Sequence, residues 1–309
     1  MNNSRTCMFF NFGKRCVARL LVAIYTLRKV YTGPITVALA KNDETNLELD
    51  KLFKLMDINV IWYEFDAKVK KHLKSALKPY LFTLSPYDTT FMFDADLIFT
   101  KPIDELWEKT EEHGFLVTHF SGWYSHGNTM TKRIGILKDT FNEKQMKAAL
   151  DKHPAVNIGV LGYTKKKGDK LLRKWTAVTK DVAGKFIADE IAMQGVYFWY
   201  DHYLADGFYN YSCHFGKDFD KASIIHYHGN KHTNLDRYSS RLWWGAAIEA
   251  NRNFPQFNLE KWLQEDPDTA KVLSTTPLTS MLNCEKEWYS YFDKVAHIES
   301  DEVLPEDPE

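Results

Sequence analysis

The sequence has no long hydrophobic run. Its longest apolar stretch near the start, residues 17–25, is interrupted by Arg19 and falls far short of the roughly 20 residues that cross a bilayer. No transmembrane segment is expected. The stretch lacks a small-residue cleavage site, and its apolar spacing continues through Leu27 and Val30 as an amphipathic helix, so no secretory signal is expected and the reading is a cytoplasmic protein. Cysteine is scarce. Cys7, Cys16, Cys213 and Cys284 form neither a C-x-x-C pair nor a dense framework, which points to reduced thiols. Neither sign of charge dominates: 40 basic side chains face 41 acidic ones for a net charge of -1, so the electrostatic footprint of a nucleic-acid or anionic-membrane binder is missing. Nucleic acid is not an expected partner. Internal repeats and Pro- or Ser-rich linkers are also lacking.

What is present belongs to a folded globule. With 309 residues, 44% hydrophobic and 26% charged, the chain is long enough for one large domain or two small ones, and extensive disorder is excluded. Aromatics are abundant at 15%. Apolar runs at 6–11, 35–39 and 60–65 read as strands, and helical spacing at 17–30, 47–56 and 70–84 separates or follows them. This alternation predicts crossover connections and a mostly parallel sheet flanked by helices, an α/β architecture. Further strands are expected at 90–93, 114–118, 156–163 and 222–227, with helices near 143–150, 170–182 and 189–196. Residues 1–265 read as one body and 266–309 as a C-terminal extension whose end, with five acids and no base from Asp301 to Glu309, is expected to be solvated. Lys165-Lys166-Lys167 reads as a solvated loop, and the run from Val196 to Tyr200 as core.

The sharpest local feature is Phe93-Asp94-Ala95-Asp96-Leu97, where two carboxylates two positions apart interrupt an apolar run. Burying two like charges is costly unless a cation or hydrogen-bond donors compensate them. On a strand they would point to the same side, and their oxygens suit a hard ion such as Mg²⁺ or Mn²⁺. The plain alternative is a strand-end turn whose acids cap the next segment. A second cluster, His226-Tyr227-His228-Gly229-Asn230-Lys231-His232, delivers imidazoles and a lysine to the mouth of a buried strand. His226 could ligate the same metal and Lys231 could offset phosphate charge, whereas His228 and His232 read as surface imidazoles. A zinc hydrolase fits poorly, because no acidic ligand accompanies the histidines.

Taken in order, these segments resemble the GT-A-type nucleotide-sugar glycosyltransferases, the family of glycogenin and the lipopolysaccharide galactosyltransferases. The residues that carry the resemblance are Lys78 to Asp96, in which a basic helix leads into a D-x-D strand, then Thr100 to Trp107, Asn157-Ile158-Gly159-Val160, Asp189-Glu190, and His226-x-x-Gly229 with Lys231. Together they cover about residues 6–235. The resemblance implies a Rossmann-like GT-A fold and an enzyme, a hexosyltransferase that moves a hexose from a nucleotide-diphosphate sugar, with a lean to UDP-sugars, to a glycan or other hydroxyl acceptor with retention of configuration. It implies that Asp94, Asp96 and His226 hold Mn²⁺ or Mg²⁺ against the donor diphosphate. Ala95, Gly229 and Lys231 then belong to the donor site, and Lys78 lies near its sugar or phosphate. Asn157, Gly159, Asp189 and Glu190 match positions that line the transferred sugar, with Asp189 the best candidate to assist catalysis. Asn11 and Phe12 are assigned to the nucleotide only by their place at the carboxyl end of the first strand. Departures are a long interval between Asp96 and Asn157, containing Phe120, Trp123, Tyr124 and His126 as candidate acceptor contacts, and His232-Thr233 where the family has tryptophan. The competing readings are a sugar-phosphate nucleotidyltransferase, which would need a Gly-rich phosphate loop, and an inactive glycan-binding protein on the same scaffold.

Overall fold

The structure, a computed structural model, describes residues 4–11, 13–41, 43–64, 77–120, 132–151, 153–185 and 187–296. The first half alternates strand and helix: β1 (Arg5–Phe10), α1 (Val17–Val30), β2 (Ile35–Ala40), α2 (Glu44–Leu55), β3 (Asn59–Tyr63), α3 (Lys78–Leu84) and β4 (Thr89–Phe93); of the helix expected over 70–84, residues 70–76 lie outside the described residues. Helix α2 starts earlier than its apolar spacing suggests, because the Asp43 side chain accepts a hydrogen bond from the Thr45 amide and caps it. After β4 come β5 (Leu97–Phe99), α4 (Glu105–His113), β6 (Phe115–His119), α5 (Glu143–Leu150), β7 (Val156–Thr164), α6 (Lys165–Asp181), α7 (Ala188–Val196) and β8 (Tyr203–Ala205). Lys165, Lys166 and Lys167 are exposed but form the first turn of α6 rather than a loop. In the aromatic run that follows α7, Tyr197 is buried while Trp199 is exposed, so only part of it is core.

The large sheet has the order β3-β2-β1-β4-β7-β6-β8, and within it only β7 runs against its neighbours. Alternation along β1 and β4 divides the core between two faces. Phe9, Phe91 and Phe93 point to one layer, covered by α1 and by the later helices α8 (Tyr238–Asn253) and α11 (Leu278–Ala296). Met8, Phe10 and Met92 point to the other, covered by α6 and α7 with Trp175 and Met193. The short helices α9 (Leu259–Gln264) and α10 (Pro267–Thr275) lie between α8 and α11 in sequence. Val272, Trp288, Tyr291 and Val295 join the first core, so residues well past 266 are part of its packing. The acidic end of the chain lies outside the described residues.

Helices α8 and α11 meet at Gly245. A methyl group there would stand 2.3 Å from the Cys284 carbonyl oxygen and 2.4 Å from the Trp288 Cβ, both on a helix that cannot retreat without unpacking the core. Gly245→Val is therefore expected to destabilise the fold by about 1–3 kcal/mol, the usual range for overpacking, read as a fall in the denaturation midpoint.

Candidate functional site

The carboxyl ends of β1, β4 and β6 lie on one edge of the large sheet, and the antiparallel β7 brings its own start to that edge. Asn157 and Gly159 thus stand beside the end of β4, where the Asp94 amide donates to the Gly159 carbonyl at 2.9 Å. The chain then leaves the large sheet through Asp94-Ala95-Asp96 and enters a small one of order β5-β10-β9, with β9 (Tyr211–Ser212) and β10 (Ile224–His226). The two acids occupy this corner, not a strand as their spacing alone suggested. Antiparallel pairing of β5 with β10 sets Leu97 opposite His226, and the Tyr227 amide donates to the Asp96 carbonyl at 2.9 Å. This register delivers the imidazole to the corner. His226 Nε2 lies 3.4 Å from Asp96 Oδ1 and 3.8 Å from Asp94 Oδ2, and one ligand atom from each of the three residues falls within 4.8 Å of the others.

Compensation of the buried charges is specific. Lys78 is buried at the start of α3, and its Nζ lies 2.8 Å from Asp94 Oδ1 and donates to the Ile158 carbonyl at 3.1 Å. Burial works against that ammonium, but Asp94 and Asp189 outweigh it and hold its pKa above the ordinary lysine value. Asp96 likewise overcomes its desolvation: the His226 charge and the Gly229 amide, which donates to Oδ2, keep its carboxyl well below the usual range. His226 is raised from its ordinary value, because Asp96 and Asp94 more than offset its burial. Asp189, in the first turn of α7, is different. Burial, reinforced by the charges of Asp94 and Glu190 against the relief of Lys78, pushes it up to about 7. Glu190 is raised by burial yet fully engaged: Arg133 donates to Oε1 at 2.5 Å and Asn157 Nδ2 to Oε2 at 2.8 Å.

Gly159 is fixed by space. A methyl group on it would stand 2.6 Å from His226 Cε1 and 2.9 Å from Asn157 Oδ1. Gly229 has a φ of 86°, a left-handed conformation that aims its amide at Asp96. Ala95 is half-buried between the two acids, and Lys231 stands exposed beyond Gly229. Asn11, at the end of β1, is buried; its Nδ2 donates to Asn46 Oδ1 at 2.9 Å and its Oδ1 has no partner among the described residues. Phe12 lies outside the described residues, as do Trp123, Tyr124 and His126. Phe120 is buried with its ring edge-on to His228 at 5.6 Å.

Two histidines depart from their surface reading. His232 is fully buried, its ring 4.0 Å from that of Trp243, and burial pushes it down to about 3. His228 is half-buried 4.0 Å from the His226 ring, and burial pushes it down to about 2. Three further groups escaped the sequence reading: Asn210, Thr118 and Arg133, polar residues in no recognisable motif. Asn210 closes a short 3₁₀ turn (Gly207–Asn210) whose cap, Asp206, is the only local signal.

Two carboxylates and one imidazole at this separation suit a hard or borderline divalent ion such as Mg²⁺ or Mn²⁺. The surrounding charge agrees. Lys78 offsets one carboxylate, Arg133 offsets Glu190, and Asp189 is only partly ionised at neutral pH, so a dication would leave this corner positive and receptive to an anion. Fold and edge together define the GT-A architecture of glycosyltransferases, a mainly parallel sheet with its acidic corner at the carboxyl ends of the strands. Among solved structures, the chain is similar to the bifunctional glycosyltransferase WbbM at 15% identity and TM-score 0.57, over 85% of this chain and 52% of that one. It thus spans about half of WbbM. The galactosyltransferase LgtC, in complex with donor and acceptor sugar analogues, is similar at 12% identity and TM-score 0.55, over 79% of this chain and 95% of that one. GlyE from Streptococcus pneumoniae TIGR4 follows at 13% and 0.53, over 84% and 64%. No family model and no curated protein sequence matches the chain. Among the described residues, no helix is long and apolar enough to cross a membrane.

Proposed function

We propose that this protein is a metal-dependent glycosyltransferase that transfers a hexose from a nucleotide-diphosphate sugar, of which UDP-sugars are the first to test, to a hydroxyl acceptor. The observation that carries the reading is the convergence of Asp94, Asp96 and His226 on one point at the carboxyl edge of a GT-A sheet. Asp94 and Asp96 would hold the ion through carboxylate oxygens and His226 through Nε2. When bound, the cation supplies Lewis-acid stabilisation of the charge that develops on the leaving diphosphate. Lys78 holds Asp94 by one oxygen and leaves the other facing His226. Gly229 fixes Asp96 through its amide, and Lys231, exposed at the rim, supplies a point charge for phosphate. Asp189, buried beside Lys78 and near its midpoint at neutral pH, can donate or accept a hydrogen bond at a sugar hydroxyl. Asn157, tied to Glu190 on one side and to the Gly159 amide on the other, forms the wall next to it.

The test is release of free nucleoside diphosphate from a panel of UDP-, GDP- and dTDP-sugars without acceptor, first with Mn²⁺ and then with EDTA. Slow turnover of one donor, abolished by EDTA, is the expected result. Silence across the panel, joined to absent Mn²⁺-dependent donor binding in calorimetry, would overturn the reading in favour of an inactive scaffold. The pH dependence of cation binding has a definite sign. His226 must be neutral to ligate, and its pKa is raised, so the apparent affinity is expected to fall by about tenfold for each pH unit below that pKa. Calorimetric titration of Mn²⁺ in a pH series checks the slope.

A further inference from the structure

We infer that Asn210 is the positioning residue of the cation site: it fixes His226 in the Nδ1–H tautomer, leaving Nε2 as the ligand atom, and ties that ligand to Asn157. The inference rests on the cation-site reading above but can be tested without any turnover.

The orientation of every group in the chain follows from one unambiguous donor. A backbone amide can only donate, and the Gly159 N–H points at Asn157 at 2.8 Å, so the facing atom is Asn157 Oδ1 and its Nδ2 turns to the Glu190 carboxylate. Asn157 Oδ1 also receives the Asn210 side chain at 2.8 Å, so the Asn210 atom there is Nδ2. The same Nδ2 donates to Thr118 Oγ1 at 2.8 Å, and that hydroxyl spends its own proton on the Asn157 carbonyl at 3.0 Å. Both assignments agree. Asn210 Oδ1 is then the atom left facing His226 Nδ1 at 2.8 Å, and an amide oxygen can only accept. Nδ1 must carry the proton. The lone pair of the neutral ring therefore lies on Nε2, the atom that faces Asp96 and Asp94.

His226 and Asn210 are both buried, and Gly159 closes against the ring, so the amide and the imidazole hold each other without competition from solvent. A donor–acceptor partner on the far nitrogen of a ligating histidine sets its orientation and raises its basicity, and removal of such partners typically costs 10–100-fold in metal affinity. Asn210 does this with a neutral group. It adds no charge to a corner that already holds two carboxylates, and it links the ligand to the residue that walls the sugar side.

The decisive measurement uses protein labelled with ¹⁵N-histidine. In long-range ¹H–¹⁵N spectra of the cation-free protein at alkaline pH, His226 is expected to show the Nδ1–H pattern. Asn210→Leu, with no acceptor, is expected to lose that pattern and to bind Mn²⁺ on the order of 10–100-fold more weakly in calorimetry. Asn210→Asp keeps an oxygen opposite Nδ1 but sets its other oxygen, which has no proton to give, against Asn157 Oδ1, so it is expected to retain the tautomer while losing the tie to Asn157, which separates the acceptor role from both the tie and mere side-chain volume. An Nε2–H pattern in the unsubstituted protein would overturn the inference whatever the variants do, as would a folded Asn210→Leu protein with unchanged Mn²⁺ affinity. If the unsubstituted protein shows Nδ1–H but binds no Mn²⁺, the tautomer assignment stands and the ligand role falls, together with the proposed function.

Discussion

Asp96→Asn is expected to weaken Mn²⁺ binding by about 100-fold or more and to abolish cation-dependent binding of a nucleotide sugar, with the fold retained. The magnitude follows from comparison: loss of an outer partner already costs 10–100-fold, and Asp96 is a candidate direct ligand that contributes charge as well as an oxygen. The fold survives because the carbonyl of an asparagine can still accept the Gly229 amide, while the backbone bond from Tyr227 to residue 96 does not involve the side chain. His226 should respond as well. Asp96 is the main cause of its raised pKa, so the variant's imidazole titrates lower than in the parent. Calorimetry with Mn²⁺, a circular dichroism melt and the histidine titration measure the three effects separately. A variant that bound Mn²⁺ as tightly as the parent would remove Asp96 from the site.

Gly159→Ala is expected to damage the same site through shape alone. The added methyl group would lie 2.6 Å from His226 Cε1 and 2.7 Å from Nδ1, and the ring has no free space because the pairing of β10 with β5 fixes its backbone and Asn210 fixes its edge. Overpacking of this kind costs about 1–3 kcal/mol. The ring is the softest neighbour, so part of that cost is expected to appear as a tilt of Nε2 away from Asp94 and Asp96, and cation affinity should fall together with stability. Gly135→Ala is the matched control: nothing lies within 4 Å of its added methyl group, and neither property should change. Equal effects of the two substitutions would refute the steric account.

The order of elements was largely legible in the sequence because the half-buried and buried runs announce themselves. Helix α1 was readable end to end from its apolar spacing, and β7 to within a residue. The antiparallel sense of β7 was not, since periodicity carries no information on direction, yet that sense is what sets Asn157 and Gly159 beside Asp94. Asp94 and Asp96 stood out because acids inside an apolar run contradict their surroundings. The corner they occupy did not, because a change of sheet depends on pairing with β10 far along the chain. Asn210 was invisible for a simpler reason: a neutral amide amid aromatic residues looks like any turn residue until its two hydrogen-bonding ends are located. His232 was misread because its polarity suggests a surface place, whereas Trp243 and Trp244 enclose it.

The pairing that joins β5 to β10 also bears on how the molecule assembles. Asp96 and Gly229 are 133 residues apart in sequence, so the acidic corner and the imidazole share no neighbourhood in the unfolded chain. Closing so long a loop is entropically unfavourable and is compensated only when the contacts on both sides are made together. A cation that needs all three ligands would therefore bind the native state and not its precursors. At a free concentration 100 times its Kd it would add about 2.7 kcal/mol of stability, so the melting temperature itself becomes an assay of the ion. Chelation should then hasten unfolding and slow nothing that precedes the final closure, which would make the corner between the two sheets a latch as well as a candidate cation site.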